Sequence, residues 1–313
     1  MITRRQALLG AAAMTTTAAF PPDLAARLDA AFAAGKLPGL HAVVLTQHGQ
    51  TILERYYPGP DELWGRPLGT VDFTRETRHD LRSVSKSIVG LLYGIALAAG
   101  KVPPLDSPLL DAFPAYPDLN RDPARRQITI AHALSMTTGL DWNENLPYTD
   151  PANSEIAMEN AADRYRYILS QPIIAPPGQR WIYSGGTTAL LGHLISRGTN
   201  QPLHAYAKST LFAPIGITET EWTLSTNGEA AAASGLRLRP IDLARIGQLL
   251  LDNGQANARQ IVPADWLATS QTRQTTIDPV IDYGHHWYLY NGSTGAPPWT
   301  GAFGNGEIGR AHV

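Results

Sequence analysis

The sequence predicts an α/β (α+β) protein, in which an antiparallel sheet flanked by helices is built from both chain ends around an all-helical insertion. Three observations predict it. β-rich runs lie near the two ends, helical patterns fill the middle, and one helical stretch, 81–99, is apolar along nearly its whole length. The predicted boundaries are 20–115 for the first part of the α/β domain, 116–235 for the helical domain and 236–306 for the second part of the α/β domain.

Asp23 to Ala34 is Ala-rich and amphipathic, and Gly35 closes it as a helix stop. Leu40–Thr46 and Thr51–Tyr57 read as two strands of a hairpin around Gln47-His48-Gly49-Gln50. A Gly-, Pro- and Asp-rich stretch then reads as a loop, followed by a long apolar helix from Leu81 to Ala99 ending at Gly100. Residues 101–127 are broken by prolines and read as mostly loop, and Ile128–Met136 reads as a helix. Helical patterns dominate from Ala152 to Leu211. From Pro240 to Leu251 apolar residues at 241, 243, 246, 249 and 250 share one face before Asn253-Gly254 stops the helix. Pro263–Ser270 is a shorter helix with proline at its start. Tyr283–Tyr290 and Pro298–Phe303 read as strands around a turn at Asn291-Gly292.

Composition removes several function classes. Of 313 residues, 43% are hydrophobic, so a sizeable core can form. The formal net charge is −2 with no basic stripe, which argues against a nucleic-acid partner. The absence of cysteine excludes disulfides, thiolate nucleophiles, Cys-ligated zinc, iron–sulfur clusters and Cys-anchored lipoproteins. No apolar run is long enough for a transmembrane anchor, and the 88–99 run reads as a buried core helix. The nine histidines show no metal spacing. His285 and His286 fall on a predicted strand, where successive side chains point to opposite faces and cannot share one ion. No Gly-x-Ser-x-Gly elbow occurs. Gly304-x-Gly306-x-x-Gly309 formally matches a dinucleotide fingerprint, but no βαβ unit surrounds it. No metal and no cofactor are therefore expected.

The two ends do not read as parts of the fold. Residues 1–19 carry Arg4 and Arg5, a short apolar run from Ala7 to Met14, then small residues, which is the layout of a cleaved export signal. Thr3-Arg4-Arg5 with Leu8 and Leu9 is similar to the twin-arginine type, so a periplasmic or extracellular protein starting around Phe20 is expected. The last seven residues, 307–313, coincide with the translation of a common sequencing-library adapter whose next codon is a stop. Natural sequence is accordingly expected to end at Gly306 or within codon 307. The second α/β part would then be truncated and a sheet edge uncovered, with poor expression or aggregation as the consequence.

Ser83-Val84-Ser85-Lys86 opens the most apolar helix. Positions i and i+3 share a helix face, so the Ser83 hydroxyl and Lys86 amine can approach each other. Free N–H groups and the dipole at a helix N-terminus favour negative charge developing on Ser83. A lysine drawn into apolar surroundings favours its neutral form, and a neutral amine can accept the serine proton. The spacing alone fits an N-capping serine and a solvated first-turn lysine better. A lysine heading so apolar a helix does not fit that bland account.

Five segments in order resemble the serine β-lactamase and penicillin-binding-protein-like superfamily. They are Leu81–Ser87, Ile128–Leu140 with its Thr-Gly-Leu ending, Pro176-Pro177-Gly178 through Tyr183-Ser184-Gly185, Arg239–Arg245, and Pro263–Trp266. The resemblance spans nearly the whole mature chain and implies that superfamily's fold. It also implies that Ser83 is the nucleophile, Lys86 its base partner, and Tyr183 a proton relay that is partly phenolate beside Lys86. The superfamily's third strip is best matched by Trp299-Thr300-Gly301-Ala302. Trp299 and Gly301 would then touch substrate, and the N–H groups of Ser83 and Ala302 would form an oxyanion hole. Gly304-Asn305-Gly306 is the other match for that strip, and Trp299 reads equally as a rim aromatic.

Two departures bear on substrate. Gly185 stands where β-lactamases carry the asparagine that grips a β-lactam side-chain amide, and Trp299 replaces the cation that pairs with the drug's carboxylate. Both variants resemble the esterase and 6-aminohexanoate-dimer-hydrolase branches. A serine hydrolase acting on a small-molecule carboxylic ester or linear amide is therefore expected. The alternatives are a D-Ala-D-Ala carboxypeptidase taking a peptide substrate, a β-lactamase, or a non-catalytic ligand-binding member of the fold. Asp141, Glu144 and Asp150, near Trp142 and Tyr148, read as a polar loop at the cleft rim, or as an ordinary solvated loop.

Overall fold

The Ala-rich stretch forms α1 (Leu24–Ala33) in the computed structural model, which describes residues 21–304 and 311–312. The expected export signal and most of the expected adapter-derived tail lie outside those residues. Gly35, at φ +67°, ends α1, as its sequence position predicts. The chain divides into two compact units between Leu40 and His41, and α1 belongs to the first.

The second unit begins with β1 (Ala42–Gln47) and β2 (Gln50–Tyr56), an antiparallel hairpin whose turn residues His48 and Gly49 both have positive φ. The expected loop after it is instead a second hairpin, β3 (Pro58–Leu63) and β4 (Arg66–Asp72), turning at Trp64-Gly65. Pro58, Gly59 and Pro60 hide it from sequence reading. A two-stranded ribbon has only edge strands, so its prolines need not donate to a ladder.

β5 (His79–Asp80) leads into α2 (Val84–Ala98), which is buried on almost every side, as its uninterrupted apolar sequence requires. Full burial of Leu91 or Leu92 contributes about 1.5–3 kcal/mol each. The expected 128–136 helix is shorter, α3 (Ile130–Leu134). The Leu109 N–H donates to the Ile128 carbonyl, holding Ile128 extended, and Thr129 and His132 form a reciprocal capping box.

α4 (Ser154–Asn160), α5 (Arg164–Ser170), α6 (Gly185–Thr199) and α7 (Leu203–Ala207) make up the helical middle, broken by an irregular run between α5 and α6. β6 (Glu221–Trp222) and β7 (Leu236–Leu238) follow, and β7 lies between β5 and β6 in a small antiparallel sheet. α8 (Pro240–Leu251) matches its predicted bounds and packs against β1. A short ladder of β8 (Gln255–Ala256) and β9 (Arg259–Gln260) precedes α9 (Ala264–Ser270). The last sheet runs β10 (Thr275–Thr276), β11 (Ile281–Tyr283), β12 (Tyr288–Tyr290), β13 (Trp299–Ala302) and β14 (Ala311–His312), each antiparallel to the next. α8 also lies against β14, so one helix touches strands from both ends of the unit.

The predicted 283–290 strand is two strands joined by a turn. His285 N–H donates to the Ser270 carbonyl at 2.9 Å and His286 N–H to the Leu134 carbonyl at 3.0 Å, while the His286 carbonyl accepts from Ser87 Oγ at 2.6 Å. These bonds to three helical segments replace a ladder, and His286 turns at φ +63°. Both imidazoles are buried in the core and do not stand on opposite sheet faces: His285 stacks on Trp266, and His286 Nε2 lies 3.1 Å from Thr188 Oγ1.

Candidate active site

Two strands and a strained turn place the serine. β5 pairs with β7, and beyond the ladder Leu81 N–H donates to the Leu236 carbonyl and Leu236 N–H to Ser85 Oγ. Between them Arg82 adopts φ +47°, a conformation uncommon for a side-chain-bearing residue. Buried Asp80 braces this turn. It accepts from the Trp64 N–H at 2.6 Å and the Arg82 N–H at 3.4 Å, and lies 3.6 Å from the Arg82 guanidinium, which also pairs with Glu62.

Ser83 occupies the N-cap position of α2, yet its side chain makes no capping bond. Lys86, one turn on and buried, donates to Ser83 Oγ at 2.9 Å and to the Ala233 carbonyl at 3.0 Å. The segment stitched to the start of α2 thus presents the carbonyl that aims the amine at the serine. This lysine is not solvated.

Tyr183 arrives from the irregular run before α6. Pro172 and Gly178 to Ile182 lie along residues 136–141: Ile182 N–H donates to the Met136 carbonyl, Gly178 N–H to Thr137, and Asp141 N–H to Pro172. Gly139 makes this approach possible. Its φ is +76°, and a Cβ there would sit 2.0 Å from the Ala175 carbonyl oxygen. Ser184 then caps α6 through Thr187 N–H, leaving Tyr183 just outside the helix start. Tyr183 lies beside both: Lys86 Nζ is 4.8 Å from its ring centroid, and the Ser83 side chain acts on its hydroxyl. Burial pushes the Tyr183 phenol well above its ordinary value, helped by Tyr288 and by Glu144 and Glu155, while the Ser83 side chain opposes the rise. These surroundings disfavour a resting phenolate.

The loop read as a cleft rim or as solvated carries one side chain, Glu144, that does not face solvent. Glu144 is turned inward. Its Oε1 accepts from Trp142 Nε1 at 2.6 Å and Gly185 N–H at 2.5 Å, and its Oε2 has no partner among the described residues. Burial, and then the neighbouring Glu155 carboxylate, push Glu144 up to about 7, with Lys86 pulling the other way. Glu155, buried on α4, accepts from Ser234 Oγ at 2.9 Å. The signal available in the sequence was Gly185. A Cβ there would lie 3.0 Å from Glu144 Oε1 and 3.4 Å from Glu155 Cδ, so the missing side chain is what admits the two carboxylates.

A chain of rings joins Tyr183 to the third strip. Tyr183 packs on Trp181, Trp181 on Tyr288, Tyr288 on Phe303 and Phe303 on Trp299, at centroid separations of 4.8–6.5 Å. Trp299 begins β13, and Gly301 and Ala302 are buried farther along it, Gly301 opposite Tyr288. Ser83, Lys86 and Tyr183 are thus brought into direct contact, whereas Trp299 reaches them through other aromatics. Among the described residues no cluster of side chains suited to a metal ion occurs, and no helix is long and apolar enough to cross a membrane.

The family profile described as Beta-lactamase matches residues 24–311. Esterase EstB of Burkholderia gladioli is 30% identical over 208 residues, 62% of this chain and 50% of the esterase. The 6-aminohexanoate-dimer hydrolase of Paenarthrobacter ureafaciens is 24% identical over 307 residues, 88% of this chain and 73% of the hydrolase. The chain therefore spans half the length of the esterase it matches. A penicillin-binding protein homologue from Pyrococcus abyssi superposes with a TM-score of 0.67 at 17% identity, covering 90% of this chain and 67% of that one, which shows the shared fold.

Proposed function

The chain belongs to the Beta-lactamase family, and on that premise we propose a serine hydrolase that works through an acyl-enzyme on Ser83. The observation that carries the reading is the buried Lys86 amine 2.9 Å from a serine oxygen that caps nothing. Ser83 Oγ attacks the carbonyl carbon of the substrate while its proton passes to the Lys86 amine, directly or across the Tyr183 hydroxyl. The carbonyl electron pair, held as an oxyanion, returns as the C–O or C–N bond breaks, and the proton is delivered to the leaving alkoxide or amine. Water then attacks the acyl carbon while its proton passes to the Lys86 amine, directly or across the Tyr183 hydroxyl; the bond to Ser83 Oγ breaks, the acid is released, and the proton returns to Ser83. The N–H groups of Ser83 and Ala302 hold the oxyanion, a role taken from the superfamily resemblance. Each such donor is typically worth about 3 kcal/mol in the transition state.

The substrate in this reading is a carboxylic ester or linear amide. Gly185 and Trp299 both remove groups that β-lactam recognition uses, and relatives named as an esterase and a dimer hydrolase support the same direction. Hydrolysis of p-nitrophenyl butyrate against nitrocefin tests it. Ester turnover that vanishes in Ser83→Ala, with negligible nitrocefin turnover, is the expected result. Faster nitrocefin hydrolysis overturns the substrate assignment, and no turnover of any acyl donor favours a binding protein.

A further inference from the structure

Resting on that hydrolase reading, we propose that Trp64, at the tip of the β3–β4 hairpin, is a positioning residue that ties the turn carrying Ser83 to the segment aiming Lys86. The hairpin closes on Trp64-Gly65, at φ +48° and +83°. Turns of this hand favour asparagine or glycine, and a bulky aromatic held there is uncommon. Backbone strain of this kind persists where the surroundings hold it, and it gathers at functional sites. β4 is exposed along almost its whole length, whereas Trp64 is half-buried and turns both of its donors inward.

Each donor reaches one half of the machinery. The Trp64 N–H donates at 2.6 Å to Asp80, the carboxylate that braces the Arg82 turn beside Ser83. Its indole Nε1 donates at 2.9 Å to Ser234 Oγ, next in the chain to the Ala233 carbonyl that accepts from Lys86. Proton directions are fixed along this path. An indole N–H only donates and a carboxylate only accepts, so the Ser234 hydroxyl takes from Trp64 and gives to Glu155 at 2.9 Å. The segment that aims Lys86 is thereby anchored from two sides, by the hairpin and by α4. The rest of the hairpin is held independently, because Arg237 bonds the Glu62 carbonyl and the Asp61 carboxylate, each at 2.8 Å. Removing the indole donor therefore frees Ser234 without undocking β3.

Trp64→Phe, Ser234→Ala and the double variant test this in the full chain. The readouts are kcat and KM for p-nitrophenyl butyrate, with kcat referred to the Ser83 sites that a fluorophosphonate titrates. Trp64→Phe should lower kcat per site about fivefold, the worth of one neutral hydrogen bond, and leave KM within about twofold. Ser234→Ala should lower kcat per site at least as far. Trp64 acts through the Ser234 hydroxyl, so the double variant should be no slower than Ser234→Ala alone. A merely structural role lowers the urea midpoint and the number of titratable sites but leaves kcat per site. A wild-type kcat per site in Trp64→Phe, or losses that multiply in the double variant, overturns the inference and leaves the hydrolase reading standing. Should Trp64→Phe not fold, Ser234→Ala decides: a wild-type kcat per site overturns the inference, and a loss of about fivefold or more supports it. If Ser83→Ala hydrolyses the ester like the wild type, the hydrolase reading falls and takes the inference with it.

Discussion

Acidification should destabilise this protein through its buried histidines. Burial lowers His79 and His285 to about 4 and His286 to about 3, with Lys86 adding to the effect on His286. In the unfolded chain each imidazole titrates near 6.5, so below that pH the unfolded state binds protons that the folded state refuses. Stability is therefore full above about pH 6.5 and falls as pH drops toward 4. At pH 5 each histidine costs about 2 kcal/mol, or about 6 kcal/mol for the three. Glu144 works in the opposite sense. Its folded value of about 7 lies above the unfolded one, so lowering the pH from 7 to 5 returns about 2 kcal/mol. The net loss of about 4 kcal/mol is a large share of the roughly 5–15 kcal/mol that holds a domain together. Urea midpoints measured at half-unit steps from pH 7.5 to 4.5 read the slope directly. His285→Phe keeps the stack on Trp266 while removing one titrating group, so its slope should be shallower by about 1.4 kcal/mol per pH unit. Wild-type stability unchanged between pH 7 and 5, or an identical slope in His285→Phe, would refute the reasoning.

Three substitutions probe the frame of the site. Gly185→Asn places a Cβ 3.0 Å from Glu144 Oε1 and 3.2 Å from Ala233 Cβ, and should cost about 1–3 kcal/mol in the urea midpoint. Gly139→Ala combines a φ of +76° with a 2.0 Å approach to the Ala175 carbonyl; a loss of about 2–4 kcal/mol in denaturant is expected, and a neutral result would show that the loop pairing behind Tyr183 is not needed. Asp80→Asn keeps an acceptor for Trp64 N–H but loses the charge facing Arg82. It should lower kcat for an ester by about tenfold with little change in KM, because the serine turn loosens while the binding surface stays.

What the sequence makes legible is local and strongly patterned. α8 could be bounded to the residue because its apolar face repeats with helical period between a proline start and an Asn-Gly stop. Ser83 and Lys86 could be paired because one helical turn separates them. Other features are set by distant contacts. The 283–290 strand breaks because carbonyls of Leu134 and Ser270, remote in sequence, capture its N–H groups. β3 and β4 escape notice because their prolines and glycine imitate a loop. Glu144 sits among polar neighbours that give no periodic signal. Its inward turn depends on the Gly185 N–H and the Trp142 indole, so only the folded chain discloses it.

The central claim is that Ser83 is a nucleophile activated by Lys86. A fluorophosphonate reporter followed by intact mass and peptide mapping tests it whatever the natural substrate is. One adduct on the peptide bearing Ser83 is predicted, absent in Ser83→Ala and formed about 10²–10⁴-fold more slowly in Lys86→Ala. Labelling at another residue, or Lys86→Ala reacting at the wild-type rate, would contradict the account.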